Sequence, residues 1–416
     1  MIIFKFGGAS VKEAAGVKNM VEILKKTGTK DKLIVVSAMG KTTNALELVI
    51  QNYFEFNKID LTEVKNFHAQ IAQNLFTDTN HPIFVTLNQY WKELTSFLEQ
   101  NSSQGYDFVY DQVIGFGELI STAIISAYLN SEEIKNTWID ARKLIKTDTT
   151  YRDAQVNWEI TQKNINHHIK PNELFITQGF IASTTNNCTT TLGREGSDYS
   201  AAIFAYCLNA KEVSIWKDVS GVYNADPRIF KDSIQLNQIN YNEAIELAFY
   251  GASVIHPKTI QPLQRKEIPL VVRSFYDLTL PGTKVSNGPK IVPQVPCFIV
   301  KDDLILLSIA TKDFSFFVEQ NMSEVFALFH AFQTKVDLIQ NSAISFSVVI
   351  DNKFKKFDLL IENLQKRFRV SFNKGVKLYT LRHATPEAIK ATEKDKVVLL
   401  KQVTRETAQL VVHENL

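Results

Sequence analysis

Apolar and polar positions along this chain change period repeatedly, and the changes divide it into elements. Ile2-Ile3-Phe4 with Phe6, and Leu33-Ile34-Val35-Val36, are short apolar runs of the kind that parallel sheets bury on both faces. Between them Val17, Met20, Val21 and Leu24 fall on one face at helical spacing, as Leu46, Val49 and Ile50 do after the second run. Residues 60–100 read as mainly helical, with a turn at Asn80-His81-Pro82. From Phe108 an apolar-periodic stretch is interrupted at Gly115-Phe116-Gly117-Glu118 and resumes through Leu119, Ile120, Ile124 and Ile125. Further strands are expected at 138–140, 175–181 and 268–273, with helices opening near Ser197 or Asp198 and after Asn240. The alternation predicts an α/β fold, a mainly parallel sheet sandwiched by helices.

From 280 to 297 the chain is rich in Pro and Gly, which marks a domain boundary. Beyond it the elements shorten. Strands are expected at 304–309, 344–350, 377–381, 397–400 and 407–412, and helices at 322–332 and 354–368. Thr385-Pro386-Glu387 opens one more helix with proline at its first position. These βα and ββα units fit two small α+β modules of ferredoxin-like type. The expected organisation is therefore a domain over 1–285, a linker over 286–296 and paired modules over 297–416.

Composition narrows the class without identifying the chemistry. The 416 residues are 45% hydrophobic and 22% charged with a net charge of +2, an ordinary globular balance. There is no concentrated basic run, and no nucleic-acid partner is expected. Cys188, Cys207 and Cys297 show neither metal spacing nor a disulfide framework, which points to a reducing cytoplasm. The apolar start at Met1 lacks the length and the charged region of a signal peptide, and no membrane span is expected.

Candidate chemistry gathers at two glycine-bearing turns that lead into helices. In Lys5-Phe6-Gly7-Gly8-Ala9-Ser10 the lysine ends a strand, and Ser10 with Glu13 fits a capping box. The stretch is either a tight turn beside a surface lysine or an anion cradle. In Thr190-Thr191-Leu192-Gly193-Arg194-Glu195-Gly196-Ser197-Asp198, Arg194 offers a planar fork for a carboxylate or phosphate. Asp198 repels phosphate there unless it orients a lysine or a metal. An ordinary capped turn is the alternative. Gly40-Lys41-Thr42 imitates the end of a P-loop, but Val35 stands where the first glycine is needed, so that reading is rejected. Glu118 beside two glycines is a solvated kink or a pocket lining, and the kink is favoured on the residues alone. His256 before Pro257 is read as a packing residue rather than a base.

Taken together, Lys5 to Ser10, Val35-Val36-Ser37-Ala38 with Thr43-Asn44, Gly117-Glu118, Thr190 to Asp198 and Trp216-Lys217-Asp218-Val219 resemble aspartate kinase. Gly221-Val222-Tyr223, Asp226-Pro227-Arg228 and Gly251-Ala252-Ser253-Val254-Ile255-His256-Pro257 match the same family. The C-terminal modules look like its tandem ACT regulatory domains, with Val336-Asp337-Leu338-Ile339 and Ser342 as the best match. No homoserine dehydrogenase segment follows Leu416, so the monofunctional kind is expected. The resemblance implies transfer of the ATP γ-phosphoryl group to the β-carboxylate of L-aspartate, the first step towards lysine, threonine and methionine.

By the same resemblance Lys5 bridges the phosphates, Gly7, Gly8 and Ser10 supply cradle contacts, and Asp198 holds Lys5. Arg194 clamps the α-carboxylate of aspartate, and Glu118 accepts its ammonium. Ser37, Thr43, Phe180 and Ser197 line the same pocket, while Lys217, Asp218, Tyr223 and Arg228 fall on nucleotide positions. Magnesium arrives with ATP, and no protein ligand for it is named. A homodimer or higher homo-oligomer, and lysine or threonine as effector, are also implied.

Three departures stand out. Glu195 replaces a glycine and is expected to point away from the anion site. Ser253 replaces a lysine, for which Lys258 could substitute, and Gln320-Asn321 replaces small residues of the effector loop. The rival readings are another enzyme of the amino-acid-kinase fold and a catalytically silent ACT sensor.

Overall fold

The computed structural model describes residues 1–103, 105–252, 255–351 and 356–414, and they form two units. The first comprises 1–222, 235–248 and the described part of 253–293, and the second 223–234, 249–252 and 294–416. Two short segments thus pack with the C-terminal part instead of with their sequence neighbours.

Among the described residues the first unit is built on a nine-stranded sheet. Its strands run, from one edge, Ile291–Val292, Gln238–Ile239, Thr283–Val285, Leu270–Ser274, Glu212–Lys217, Ile2–Phe6, Lys32–Val36, Leu174–Gln178 and Thr137–Ile139. The six from Leu270–Ser274 to Thr137–Ile139 are parallel, and the short strands beyond Leu270–Ser274 bring in the antiparallel pairs. Lys32–Val36 and Leu174–Gln178 are buried at every position, which is why Leu33–Val36 and Leu174–Ile176 read as unbroken apolar runs. Part of the stretch expected to be linker is sheet edge. Val285 and Ile291 are buried, and Thr283 Oγ1 accepts the Val222 N–H at 2.8 Å, so the Pro- and Gly-rich segment is tied down.

The helix Tyr106–Ser131 corrects the expected kink. It runs unbroken for 26 residues, with Gly115, Gly117 and Glu118 all buried. Here glycine serves close approach. A Cβ on Gly117 would lie 3.0 Å from Thr42 Cγ2 and 3.1 Å from Ala38 Cβ, so its absence brings this helix against the loop after Lys32–Val36. The helix is long and apolar enough to cross a membrane, but 89% of its most apolar window is buried inside the fold, as a core helix requires.

Two caps also differ from expectation. The helix expected after Ser10 begins at Ala14 with Glu13 as its cap. Ser10 is instead buried, and its hydroxyl donates to the Trp216 carbonyl at 3.4 Å, so no capping box forms. The helix expected to be capped by Ser197 or Asp198 runs Gly196–Leu208, and its cap is Glu195, held left-handed at φ 54° with no side-chain capping bond.

The second unit is a six-stranded antiparallel sheet among the described residues. Its order is Lys335–Asn341, Ser345–Asp351, Cys297–Thr311, Phe368–Arg382, Thr407–Glu414 and Lys396–Val403. Two of these strands are 15 residues long, where short strands at 304–309 and 377–381 were expected. Asp302-Asp303 and Lys374-Gly375 look like strand ends in sequence. In the fold the chain passes through them with left-handed residues at Asp303 (φ 55°) and Gly375 (φ 70°) and a register shift between the two strands. Each long strand therefore serves two modules, the first of βαββαβ order and the second, among the described residues, with four strands and one helix. The later half of Cys297–Thr311 and the early half of Phe368–Arg382 belong to one, with helices Glu319–Ala331 and Phe357–Gln365. Their other halves complete the second, with helix Pro386–Glu393.

Candidate active site

Parallel strands all point the same way, so the loops after their carboxyl ends converge and open a crevice there. A cavity of 310 Å³ occupies this place in the first unit, lined by Lys5, Ser37, Thr43, Glu118, Phe180, Gly193, Glu195, Gly196, Ser197, Asp198 and Lys217. Lys5 lies near the end of the central strand, where its Cα pairs with Val35 on one side and Ile215 on the other. Ser37 follows Lys32–Val36, and Lys217 ends Glu212–Lys217. The backbone is drawn together by glycine at two points. A Cβ on Gly8 would stand 2.6 Å from the Ala38 carbonyl oxygen, and one on Gly179 would stand 2.5 Å from Ser197 Cβ.

Lys5 and Asp198 form a buried ion pair, with Nζ 2.7 Å from Oδ1. Lys217 Nζ lies 3.6 Å from the other oxygen of the same carboxylate. Burial opposes ionisation of Asp198, but the two lysines outweigh it and hold its carboxyl below the usual range. One anion thus fixes two cations at the strand ends, which resolves the oddity of a carboxylate in an anion site.

Glu118 presents the opposite situation. It is buried within the core helix, and its Oε1 accepts the Ala38 N–H at 3.2 Å. Its Oε2 is buried and has no hydrogen-bond partner among the described residues. Burial pushes the carboxyl up to about 8, against the pull of the Ala38 hydrogen bond. A buried acceptor in this state is costly unless a cation or donor reaches it.

The loop from Leu192 to Asp198 is held from behind. Asp111, buried on the core helix, accepts the Thr191 N–H at 2.8 Å, the Thr191 hydroxyl at 2.8 Å and the Arg152 N–H at 3.0 Å. Burial raises its carboxyl to about 6 in spite of these bonds. Phe180 sits left-handed at φ 67°, and its N–H donates to Ser200 Oγ at 2.9 Å, which fixes it at the cavity wall. Glu195 does not point away as expected. It lines the cavity, and its Oε2 is buried with no hydrogen-bond partner among the described residues.

The fold gathers Lys5, Ser37, Thr43, Glu118, Phe180, Ser197, Asp198 and Lys217 around this one cavity. Other sequence candidates stand elsewhere. Arg194 is exposed, between the lining residues Gly193 and Glu195. Gly7, Gly8 and Ser10 are not among the lining residues, although a Cβ on Gly7 would stand 3.4 Å from Lys5 Nζ. Asp218 is exposed. Tyr223 and Arg228 belong to the second unit, and Arg228 turns to solvent with its guanidinium 2.6 Å from Asp226 Oδ2. Lys258 pairs with Asp153, and Ser253 lies outside the described residues. His256 caps the helix Pro257–Arg265 by accepting the Lys258 N–H at 3.2 Å.

Sequence reasoning missed Gly193, Glu195 and Gly196 as lining residues. The signal was the placement of the helix start. Moving the cap from Ser197 to Glu195 turns Glu195 from a loop surface residue into a wall residue. Among the described residues, no group of three or more His, Cys, Asp or Glu side chains could hold a metal ion.

Comparison with known proteins agrees with this geometry. Residues 1–274 match the model of the amino acid kinase family. The chain is 31% identical over 388 residues to bifunctional aspartokinase/homoserine dehydrogenase 2 of Arabidopsis thaliana, covering 90% of this chain and 42% of that longer protein. It is 30% identical over 359 residues to lysine-sensitive aspartokinase 3 of Escherichia coli, covering 84% of this chain and 78% of the relative. Crystal structures of the E. coli aspartokinase III superpose with TM-scores of 0.83, in complex with lysine and aspartate, and 0.79, in complex with aspartate and ADP. These cover 99% of this chain and 96% of theirs, at 26% and 25% identity. The chain belongs to the amino acid kinase family, and within it to the aspartokinases.

Proposed function

We propose that the chain transfers the γ-phosphoryl group of ATP to the β-carboxylate of L-aspartate, giving 4-phospho-L-aspartate and ADP. The observation that carries the reading is the pairing of opposite needs in one cavity. Lys5 and Lys217 offer positive charge at the strand ends, and Glu118 offers a buried oxygen that lacks a donor. An amino acid with an acidic side chain and a polyphosphate, bound together, supply both.

The chemistry asks for no general base. A carboxylate with an ordinary value of about 4 is already ionised at neutral pH. Its oxygen forms the new bond to the γ-phosphorus while the bond to the β,γ-bridging oxygen breaks, and the electron pair leaves with ADP. Two anions must approach one another, so the enzyme's task is neutralisation and alignment. In this reading Lys5 bridges the phosphates, Asp198 keeps the Lys5 ammonium in place, and Lys217 adds charge on the nucleotide side. Glu118 takes the substrate ammonium, Arg194 its α-carboxylate, and Ser37, Thr43 and Ser197 orient the acceptor. Magnesium bound with the nucleotide would supply further neutralisation of the phosphate charge.

Regulation belongs to the same proposal. The E. coli relative is named for its lysine sensitivity and was crystallised with lysine. The second unit has paired α+β modules, one of them complete as βαββαβ, that suit an amino-acid effector, and a homodimer or higher oligomer is expected. The test is ADP release with L-aspartate, L-glutamate and N-acetylglutamate as acceptors, each with and without lysine and threonine. Turnover on L-aspartate is expected to dominate, and preference for either other acceptor contradicts the reading. An unchanged rate with both effectors refutes the regulatory part.

A further inference from the structure

Glu195 occupies a place where its residue type is costly twice. Its backbone is left-handed at φ 54°, a conformation that glycine adopts freely and glutamate does not. Its Oε2 is also buried in the cavity wall with no hydrogen-bond partner among the described residues. Apart from water, an acceptor in that position is satisfied by a ligand that brings a donor or a positive charge. Phosphate oxygens and substrate carboxylates bring neither. The substrate ammonium brings both, with three N–H donors. Glu118 can serve only part of that group, because its Oε1 is engaged by the Ala38 N–H and only Oε2 is free.

We propose that Glu195 is a second carboxylate for the ammonium of the amino-acid substrate, and so a specificity-determining residue of this cavity. The proposal rests on the aspartate kinase reading. It places the α-ammonium on the wall residue Glu195, while its exposed neighbour Arg194 would turn inward to reach the α-carboxylate.

The experiment compares L-aspartate with succinate, which has both carboxylates and no ammonium, on the full chain. Binding by calorimetry and steady-state constants are measured for the wild type, Glu195→Gln and Glu195→Gly, with magnesium titrated separately. Loss of a charge-assisted hydrogen bond is expected to weaken L-aspartate binding about tenfold and to raise its KM by a similar factor. Succinate affinity and the magnesium dependence should stay unchanged. Glu195→Gly removes the left-handed strain, so its thermal midpoint should not fall, which separates a binding loss from a folding loss. Equal losses for L-aspartate and succinate, an unchanged L-aspartate affinity, or a change confined to the magnesium dependence would each overturn the assignment. If the wild type itself neither binds nor phosphorylates L-aspartate, the kinase reading fails instead.

Discussion

The ammonium of Lys5 sits 2.7 Å from one oxygen of Asp198, and both side chains are buried at the carboxyl ends of central parallel strands. The aspartate comes from the first turn of a helix and the lysine from a strand, so the pair ties helix to sheet at the point where phosphate is proposed to bind. A lysine without this partner would have to be either solvated or neutral.

Lys5→Ala is therefore expected to lower turnover by at least ~10²-fold, the scale of losing one preorganised charge at the transition state. Asp198 keeps Lys217 as a partner, so the fold should persist, which circular dichroism can check. A near wild-type rate in the folded variant contradicts the role given to Lys5.

In the proposed reading Glu118 links substrate binding to pH. Its carboxyl is pushed up to about 8 by burial, so it is largely neutral at pH 7 before a ligand arrives. An ammonium favours the ionised form, so L-aspartate binding should release a proton below pH 8. Affinity should rise with pH towards 8 and then level. Calorimetry at pH 7 in buffers of different ionisation enthalpy measures the release directly, and Glu118→Gln should abolish it.

His68 links stability to acid. It is buried against Thr42 and the Val64 carbonyl, and burial lowers its value to about 4. The unfolded chain takes up the proton near pH 6.5 and the folded chain only near 4. The contribution is thus complete above 6.5 and is lost as pH falls towards 4, by about 3 kcal/mol at most. Urea unfolding across pH 4–7 should show this slope in the wild type and a flatter one in His68→Gln.

Gly8→Ala tests the packing behind the cavity. Its new Cβ would stand 2.6 Å from the Ala38 carbonyl oxygen, a backbone atom that cannot swing aside. Overpacking of this kind is expected to cost about 1–3 kcal/mol. Because Ala38 also donates to Glu118, the affinity for L-aspartate should fall as well. Denaturation midpoints and KM, measured on the same preparation, check both.

Most of the sheet was legible because fully buried strands are written as apolar runs, as at Leu33-Ile34-Val35-Val36. Glu118 was harder. A carboxylate between core positions of a helix looks like a solvated kink until Gly117 is seen to bring Thr42 and Ala38 against it. The two long strands of the second unit were hidden by Asp302-Asp303 and Lys374-Gly375, because local turn chemistry cannot reveal a bulge inside a continuous ladder. The N-cap at Glu195 was missed for a related reason. Propensity favours Ser197 or Asp198, and only the observed left-handed backbone places the cap at Glu195, one residue ahead of the helix start at Gly196. Ser10 was misread in the same way, as a cap where it is a buried donor to Trp216.

The central claim is that one cavity holds a substrate ammonium on Glu118 and the transferring phosphate on Lys5. A crystal structure of the chain with L-aspartate and a non-hydrolysable ATP analogue tests it most directly. The expected result is the ammonium within hydrogen-bond distance of Glu118 Oε2 and a γ-phosphate oxygen within hydrogen-bond distance of Lys5 Nζ. A nucleotide seated away from Lys5, or an amino acid whose ammonium faces solvent, would contradict it.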